Sequence, residues 1–193
     1  MELQKFGIKL YLKTNGTYES QDFIPVFHHW IQEKAVPDHL LIDVADYSHI
    51  PDGPGVMLVA HEGLFSLDQE NYDPGILYMR KTDMKGSFTD RFNSVFFTTV
   101  HAAQLLCDNK IGKEMEFYPD SFRFITNDRR LAANTEENQK LYQEAVCHAL
   151  ENNYPGENWC FDCFANDNER LAFSVTSNNG THVFDQIKES LEK

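Results

Sequence analysis

Aspartate and histidine side chains crowd one stretch of this sequence. Asp43, Asp46, His49 and Asp52 lie within ten residues, just before the Gly-Pro-Gly at 53–55. Carboxylates and imidazoles are common ligands of divalent metals, and an aspartate beside a histidine is also an acid–base pairing. We therefore predict a functional loop at these four residues, in which Asp46, His49 and Asp52 would be the ligands of any metal ion.

Two continuous apolar runs, at 40–45 and 56–60, flank this loop and predict strands that are covered on both faces. If the two strands pair antiparallel with Ala45 opposite Val56, Asp43 lies inside an apolar strand. A buried carboxylate is costly unless a partner satisfies it, so Asp43 is the first of the four to inspect.

A second candidate group consists of His61, Glu62 and His39, at the other end of the same two strands. Strands rise about 3.3 Å per residue, which places this group roughly 15 Å from Asp46 and His49. The antiparallel pairing therefore predicts two separate subsites rather than one.

Arg129 and Arg130 form a further candidate pair in a polar segment between a strand and a helix. Paired guanidinium groups suit the recognition of a carboxylate, or they can pair with the acidic residues of 35–79 across the interface of the two halves. We favour the second interpretation.

The acidic residues are concentrated in one segment. From 35 to 79 there is no Lys or Arg but there are eight Asp and Glu residues, within a chain of net charge −13 and a sequence pI of about 4.9. This charge disfavours binding to nucleic acid or to anionic lipid. It suits a basic small molecule, a divalent cation or a basic protein surface, and it also simply keeps a protein soluble.

Periodicity predicts an α+β fold in the order βαβββα-βαββα, with a mixed or antiparallel sheet. The pattern gives one domain, 1–193, built from two similar halves, 1–112 and 113–193, that resemble tandem βαββ units and share a core. The alternation at 5–13 predicts a half-buried strand, and the runs at 159–164 and 171–175 predict a hairpin. The predicted helices begin near Asp22, Ser87, Asn134 and Thr181, and Ser87 with Asp90 is predicted to form a capping box.

The chain has no run of about 18 apolar residues, which a membrane helix would need, and its start lacks the features of a secretory signal. Four cysteines are ordinary usage for a reducing compartment. We expect a cytoplasmic protein.

The segment Ile42–Gly55, IDVADYSHIPDGPG, together with the run at 23–32 and the Asn127-Asp128-Arg129 segment, resembles an uncharacterised family of small bacterial cytosolic proteins. No activity is attached to that family. The resemblance implies a bacterial origin and no catalytic residues.

These observations favour a binding or regulatory protein that uses a cleft or an acidic surface for a small ligand or a basic partner. One alternative is a metal-assisted or acid–base enzyme centred on residues 43–62. The other is an acidic, immunity-type protein that masks a basic partner, which requires the acids of 35–79 to share one exposed face. No cofactor is predicted apart from the divalent metal considered above, and the sequence leaves the oligomeric state open.

Overall fold

The computed structural model describes residues 2–13, 19–50, 53–69, 73–109, 115–163 and 168–178. Asp52 and the helix predicted from Thr181 lie outside these ranges. Within them the fold is α+β, as predicted, with antiparallel pairing between the neighbouring strands of one sheet. The helices and strands, in chain order, are β1 (Phe6–Lys13), α1 (Ile24–Glu33), β2 (Leu41–Tyr47), β3 (Gly55–Ala60), β4 (Gly63–Asp68), β5 (Gly75–Arg80), α2 (Phe88–Cys107), β6 (Glu116–Thr126), α3 (Glu136–Asn153), β7 (Trp159–Cys163) and β8 (Ala172–Ser177).

The sheet has eight described strands in the order β2-β3-β4-β5-β1-β6-β8-β7. The first strand of the chain therefore lies in the middle of the sheet, between β5 and β6. Each half begins with the chain order βαββ, but the first half supplies five strands and the second supplies three of those described. One hydrophobic core contains side chains from both halves.

All three α-helices pack on the same face of the sheet. Phe6, Ile8, Leu10 and Leu12 of β1 point towards them and are buried. Because alternate strand residues point to opposite faces, Lys9 and its ladder partners Leu77 and Arg123 lie on the other side, which we call the far face.

Strand β4 is absent from the predicted order, which has three strands between α1 and α2 where the structure has four. Its sequence, Gly-Leu-Phe-Ser-Leu-Asp, follows β3 after only two residues. Residues 65–68 alternate apolar and polar, so the signal of a strand was present, although Ser66 and Asp68 are both buried. The run is short and follows β3 closely, which is why the predicted order does not separate it from β3.

The burial predicted for two strands was also wrong. Strand β1 was expected to be half-buried, with its lysines in solvent, but it is central and the side chain of Lys9 is only 1% exposed. Strand β2 was expected to be covered on both faces, but it is the edge of the sheet and most of its residues are exposed. The burial of both strands depends on the order of the strands in the sheet, which local periodicity does not encode.

The predicted start of α2 is confirmed, whereas α1 begins at Ile24 after Phe23 and has no side-chain cap. Ser87 and Asp90 form the expected capping box, in which Ser87 Oγ accepts from the Asp90 N–H at 3.2 Å and Asp90 Oδ2 accepts from the Ser87 N–H at 2.8 Å. Helix α3 is instead capped by Thr135, one residue later than predicted. The amide of Asn134 is engaged elsewhere, because its Oδ1 accepts from Gln139 Nε2 at 2.6 Å.

Candidate functional site

The β2–β3 ladder positions the predicted subsites. The strands pair antiparallel, but Ala45 lies opposite Met57 rather than Val56, because the register shifts between Leu41 and Asp43. At the end of the ladder nearest α1, the His61 N–H donates to the Leu40 carbonyl at 2.8 Å, as the predicted pairing requires. Asp46 lies five residues from Leu41, or about 16 Å along the strand. The two predicted groups therefore occupy opposite ends of β2.

Residues His39 and Glu62 come together at the first of these ends. The Leu40 N–H donates to Glu62 Oε2 at 2.8 Å, which ties the residue after His39 to the carboxylate. Burial raises the pKa of Glu62, but this hydrogen bond and the nearby His39 and His61 rings outweigh it and hold the pKa below its usual value. His61 itself is exposed.

Two residues that sequence reasoning missed complete this group. His39 Nδ1 lies 2.8 Å from the Pro37 carbonyl, which can only accept, so Nδ1 carries the proton. His39 Nε2 lies 2.6 Å from the Tyr78 hydroxyl, which therefore donates to it and in turn accepts from Arg80 Nη1 at 3.3 Å. Burial lowers the pKa of His39 and raises that of Tyr78.

These hydrogen bonds prevent His39 from acting as a general acid or base. Both ring nitrogens of His39 bond to protein atoms, and the Tyr78 side chain is buried. A general base must reach the proton it abstracts, by direct contact or through one water. His39 is thus a satisfied histidine that joins the α1–β2 connection to β5.

At the other end of β2, Asp46 forms a local turn. Its Oδ1 accepts from the Ser48 N–H at 2.9 Å and from the Ser48 hydroxyl at 2.5 Å, and its Oδ2 accepts from Gln21 Nε2 at 3.2 Å. The Ser48 hydroxyl is the main reason that the pKa of Asp46 lies below its usual value. An aspartate that bonds the N–H two residues ahead is an Asx turn, whose role is local structure.

The other predicted loop residues do not form one site with Asp46 in the described part of the chain. Asp43 is exposed, because β2 is an edge strand, and its Oδ1 accepts from the adjacent Val44 N–H at 2.8 Å, so the predicted need for a buried partner does not arise. His49 is exposed beside the Tyr47 ring. Asp52 lies outside the described residues, and within them no three His, Cys, Asp or Glu side chains meet in a metal-binding arrangement.

The acids of the 35–79 segment do not share one face. Asp43 lies on the far-face side of β2, whereas Asp46 reaches towards Gln21, before α1, and Glu62 lies at a strand end. Asp68 is buried on the far face, where it bonds Lys9 Nζ at 2.5 Å. The one other ion pair among the described side chains joins Lys13 and Glu116. Arg129 and Arg130 therefore do not pair with this segment, in contrast to the interpretation that the sequence favoured.

The far face instead carries a cavity of about 280 Å³ that is lined by three of the six arginines of the chain. We call it the arginine cavity. Its lining residues are Arg123, Ile125, Arg129, Asn168, Glu169, Arg170 and Ala172. Ile125 and Ala172 lie opposite each other on β6 and β8 and form the apolar floor.

Each arginine is brought to the cavity by a different element. Arg123 lies on β6 and is half-buried, with Lys9 and Ser174 as its ladder partners. Arg129 follows β6 in a turn that the Asp128 carboxylate stabilises, and its Nη2 donates to the Asn168 carbonyl at 3.2 Å. Arg170 precedes β8 and is half-buried.

A buried amide pair supports the rim of the cavity from the helix side. Asn134 and Gln139, both nearly inaccessible, bond each other. Asn134 Nδ2 donates to the Arg170 carbonyl and Gln139 Nε2 to the Ala172 carbonyl, each at 3.4 Å. The start of α3 thereby fixes the backbone on which Arg170 and Ala172 stand.

Sequence reasoning named only Arg129 of the three. Arg123 had a signal that was not used, since it alternates with Phe122 and Phe124 and so must face away from the helices. Arg170 had none, because its nearness to Arg123 depends on the pairing of β6 with β8.

None of the helices in the described ranges combines the length and apolarity that crossing a membrane requires. No protein-family model matches this chain, and no curated protein matches its sequence. The resemblance of the Ile42–Gly55 segment to an uncharacterised bacterial family stays a prediction.

Proposed function

We propose that this chain is a binding protein for a small ligand that carries two negative charges, held in the arginine cavity. The observation that supports it most is the gathering of Arg123, Arg129 and Arg170 around one cavity in a chain of net charge −13. Guanidinium groups stay charged at all physiological pH values, and the described lining residues, which include Glu169, carry three positive charges and one negative, or +2. Guanidinium groups gathered around one cleft favour an anionic ligand.

The size and chemistry of the cavity narrow the ligand class. Its volume of about 280 Å³ falls just below the roughly 300–1,000 Å³ of ordinary ligand pockets, which favours a compact molecule. Arginine forks bind carboxylates and phosphates through two parallel hydrogen bonds. A phosphate group and a short dicarboxylate share this dianionic chemistry, so both belong to the proposed class.

The test is a calorimetric titration of the protein with inorganic phosphate and with succinate, and with acetate as a monoanion of the same chemistry. We expect a dianion to bind more tightly than acetate, and Arg123→Gln to weaken binding about tenfold or more, because it removes a charge-assisted contact.

Arg130→Gln is the matched control, since Arg130 is exposed, follows Arg129 directly and does not line the cavity. It should bind the dianion like the parent protein. The proposal fails if neither dianion binds, or if Arg130→Gln weakens binding as much as Arg123→Gln does.

The two alternative functions have less support. The acid–base alternative needs a reachable histidine nitrogen beside a free carboxylate, and both nitrogens of His39 are bonded within the protein. His49 and His61 are exposed near Asp46 and Glu62, but these carboxylates already accept from Ser48, Gln21 and the Leu40 N–H. The masking alternative needs a shared acidic face, and Lys9 already neutralises Asp68. We retain a cytoplasmic location as part of the proposal, in keeping with four cysteines that carry free thiols.

A further inference from the structure

Strand β2 forms one edge of the sheet, and apolar side chains stand exposed along it. Of the seven large apolar side chains that are exposed in the described chain, four belong to this short stretch, namely Leu40, Ile42, Tyr47 and Ile50, with exposed fractions of 64%, 54%, 40% and 44%. We call the outer side of β2 and these flanking residues the β2 edge. Apolar groups gathered on an exposed surface mark a site of interaction more often than scattered ones do.

Backbone N–H groups of the β2 edge could pair with a further strand, but two of them donate to side-chain carboxylates instead. In an antiparallel strand, alternate residues direct their N–H and C=O groups to the same side. The Val44 N–H donates to Asp43 Oδ1 at 2.8 Å, and the Ser48 N–H, in the turn directly after β2, donates to Asp46 Oδ1 at 2.9 Å. These carboxylates occupy the donors that an added strand would use, which is one way in which natural edges avoid indiscriminate pairing.

The negative charge of the β2 edge determines which kind of added strand could displace these carboxylates from the N–H groups. No Lys or Arg lies between 35 and 79, and neither Asp43 nor Asp46 has a cationic side chain within ion-pair distance among the described residues. A second copy of this chain would bring the same carboxylates against Asp43 and Asp46, and like charges directly opposite each other are destabilising. A strand that carries lysines would draw the two carboxylates onto its ammonium groups and free the N–H groups beneath them.

We propose that the β2 edge binds an extended basic segment of a partner protein as an additional strand. Its carbonyls accept from Val44 and Ser48, its lysines pair with Asp43 and Asp46, and its apolar side chains cover Ile42 and Tyr47. Main-chain hydrogen bonds supply affinity in this mode of recognition, and alternate side chains supply specificity. The surface is separate from the arginine cavity, which lies across β1 in the other half of the sheet.

The experiment uses a fluorescent six-residue lysine–valine peptide, Val-Lys-Val-Val-Lys-Val, whose two lysines point to opposite faces as Asp43 and Asp46 do. Glutamate in place of its lysines gives a glutamate–valine peptide, which probes charge, and proline in place of its valines gives a lysine–proline peptide, which probes strand pairing. Fluorescence anisotropy at low salt should show binding of the lysine–valine peptide alone, because proline cannot complete a ladder. Hydrogen exchange should slow at Val44 and Ser48 when this peptide binds.

Asp43→Asn tests the charge and keeps the acceptor for the Val44 N–H. It should weaken the lysine–valine peptide about tenfold, whereas Asp162→Asn, an exposed aspartate on the opposite edge strand β7, should leave binding unchanged. The proposal is overturned if the lysine–valine peptide does not bind, if the lysine–proline peptide binds as well, or if both variants lose the same affinity. Concentration-dependent self-association that protects Val44 would also overturn it, in favour of a second copy.

Discussion

Two charged places on the far face differ in how their charges are matched. Lys9 and Asp68 form a pair whose side chains are only 1% and 6% exposed, with Nζ and Oδ2 in direct contact. Among its described lining residues, the arginine cavity has three guanidinium groups and one carboxylate, and it is accessible to a ligand. Both places lie on the same sheet, and Lys9 and Arg123 are direct ladder partners.

This difference indicates that the Lys9–Asp68 pair has a structural role, whereas the arginine cavity suits a role in binding. A buried ion pair returns little net stability, but loss of one partner leaves the other charge buried and uncompensated. A group of like charges that solvent can reach adds nothing to folding and suits an anion. We therefore expect changes in the pair to alter stability, and changes in the cavity to alter binding.

The largest effect is expected for Lys9→Met, which leaves Asp68 buried without its partner. The free energy of unfolding, measured by urea denaturation, should fall by about 3–5 kcal/mol. Lys13→Met is the control, because Lys13 and Glu116 are 52% and 75% exposed and 3.8 Å apart, and it should cost below about 1 kcal/mol. The double variant Lys9→Met/Asp68→Leu should recover most of the loss, and equal losses in all three proteins would mean that the pair is not the cause.

Gly75→Ala should have the next largest effect, because the Lys9 side chain crosses Gly75 to reach Asp68 two strands away. A Cβ at this position would lie 2.3 Å from the Leu10 carbonyl oxygen and 3.1 Å from Lys9 Cε. Overpacking of this kind costs about 1–3 kcal/mol in unfolding free energy. A double-mutant cycle with Lys9→Met isolates the contribution of Lys9. Full additivity would show that Gly75 matters only for the backbone contact.

Arg129→Gln should separate stability from binding on the cavity side of the comparison. Its unfolding free energy should stay within about 0.5 kcal/mol of the parent value, because Arg129 is exposed and makes one bond to a backbone carbonyl. The affinity for the dianion should fall about tenfold. A loss of stability without a loss of affinity would make Arg129 a structural residue and would break the comparison.

The smallest effect concerns His39, a half-buried histidine whose neutral ring is hydrogen-bonded at both nitrogens. Its folded pKa lies below the usual value, so the unfolded chain takes up a proton first as the pH falls below about 6.5, and the folded state loses stability there. His39→Gln should reduce this acid-dependent loss in urea denaturation at pH 7 and pH 5. His49→Gln, at an exposed histidine, should leave the pH dependence of the parent protein unchanged, and an identical change in both variants would contradict the assignment to His39.

Local sequence patterns predicted the positions of the helices and strands well, but they did not predict which strands are neighbours in the sheet. The capping box at Ser87 and Asp90, the β7–β8 hairpin and the antiparallel pairing of β2 with β3 follow from residues close in sequence. The burial of Lys9, the exposure of Asp43 and the meeting of Arg123 with Arg170 depend on strand order, which contacts between distant segments decide. The acidic loop drew attention because its residues are adjacent in sequence, whereas the arginine cavity joins segments that only the fold brings together.

The central position of β1 has a consequence for folding during synthesis of the chain. Phe6–Lys13 leaves the ribosome before every other described strand, yet one of its two ladders is with Glu116–Thr126. Until that segment is synthesised, β1 can pair only with β5, and its other side remains an unpaired edge in a growing chain. Such edges invite pairing with other nascent chains, and sheets with distant partners assemble slowly. The strand that ends up most protected in the folded protein is therefore the one that synthesis leaves exposed for longest.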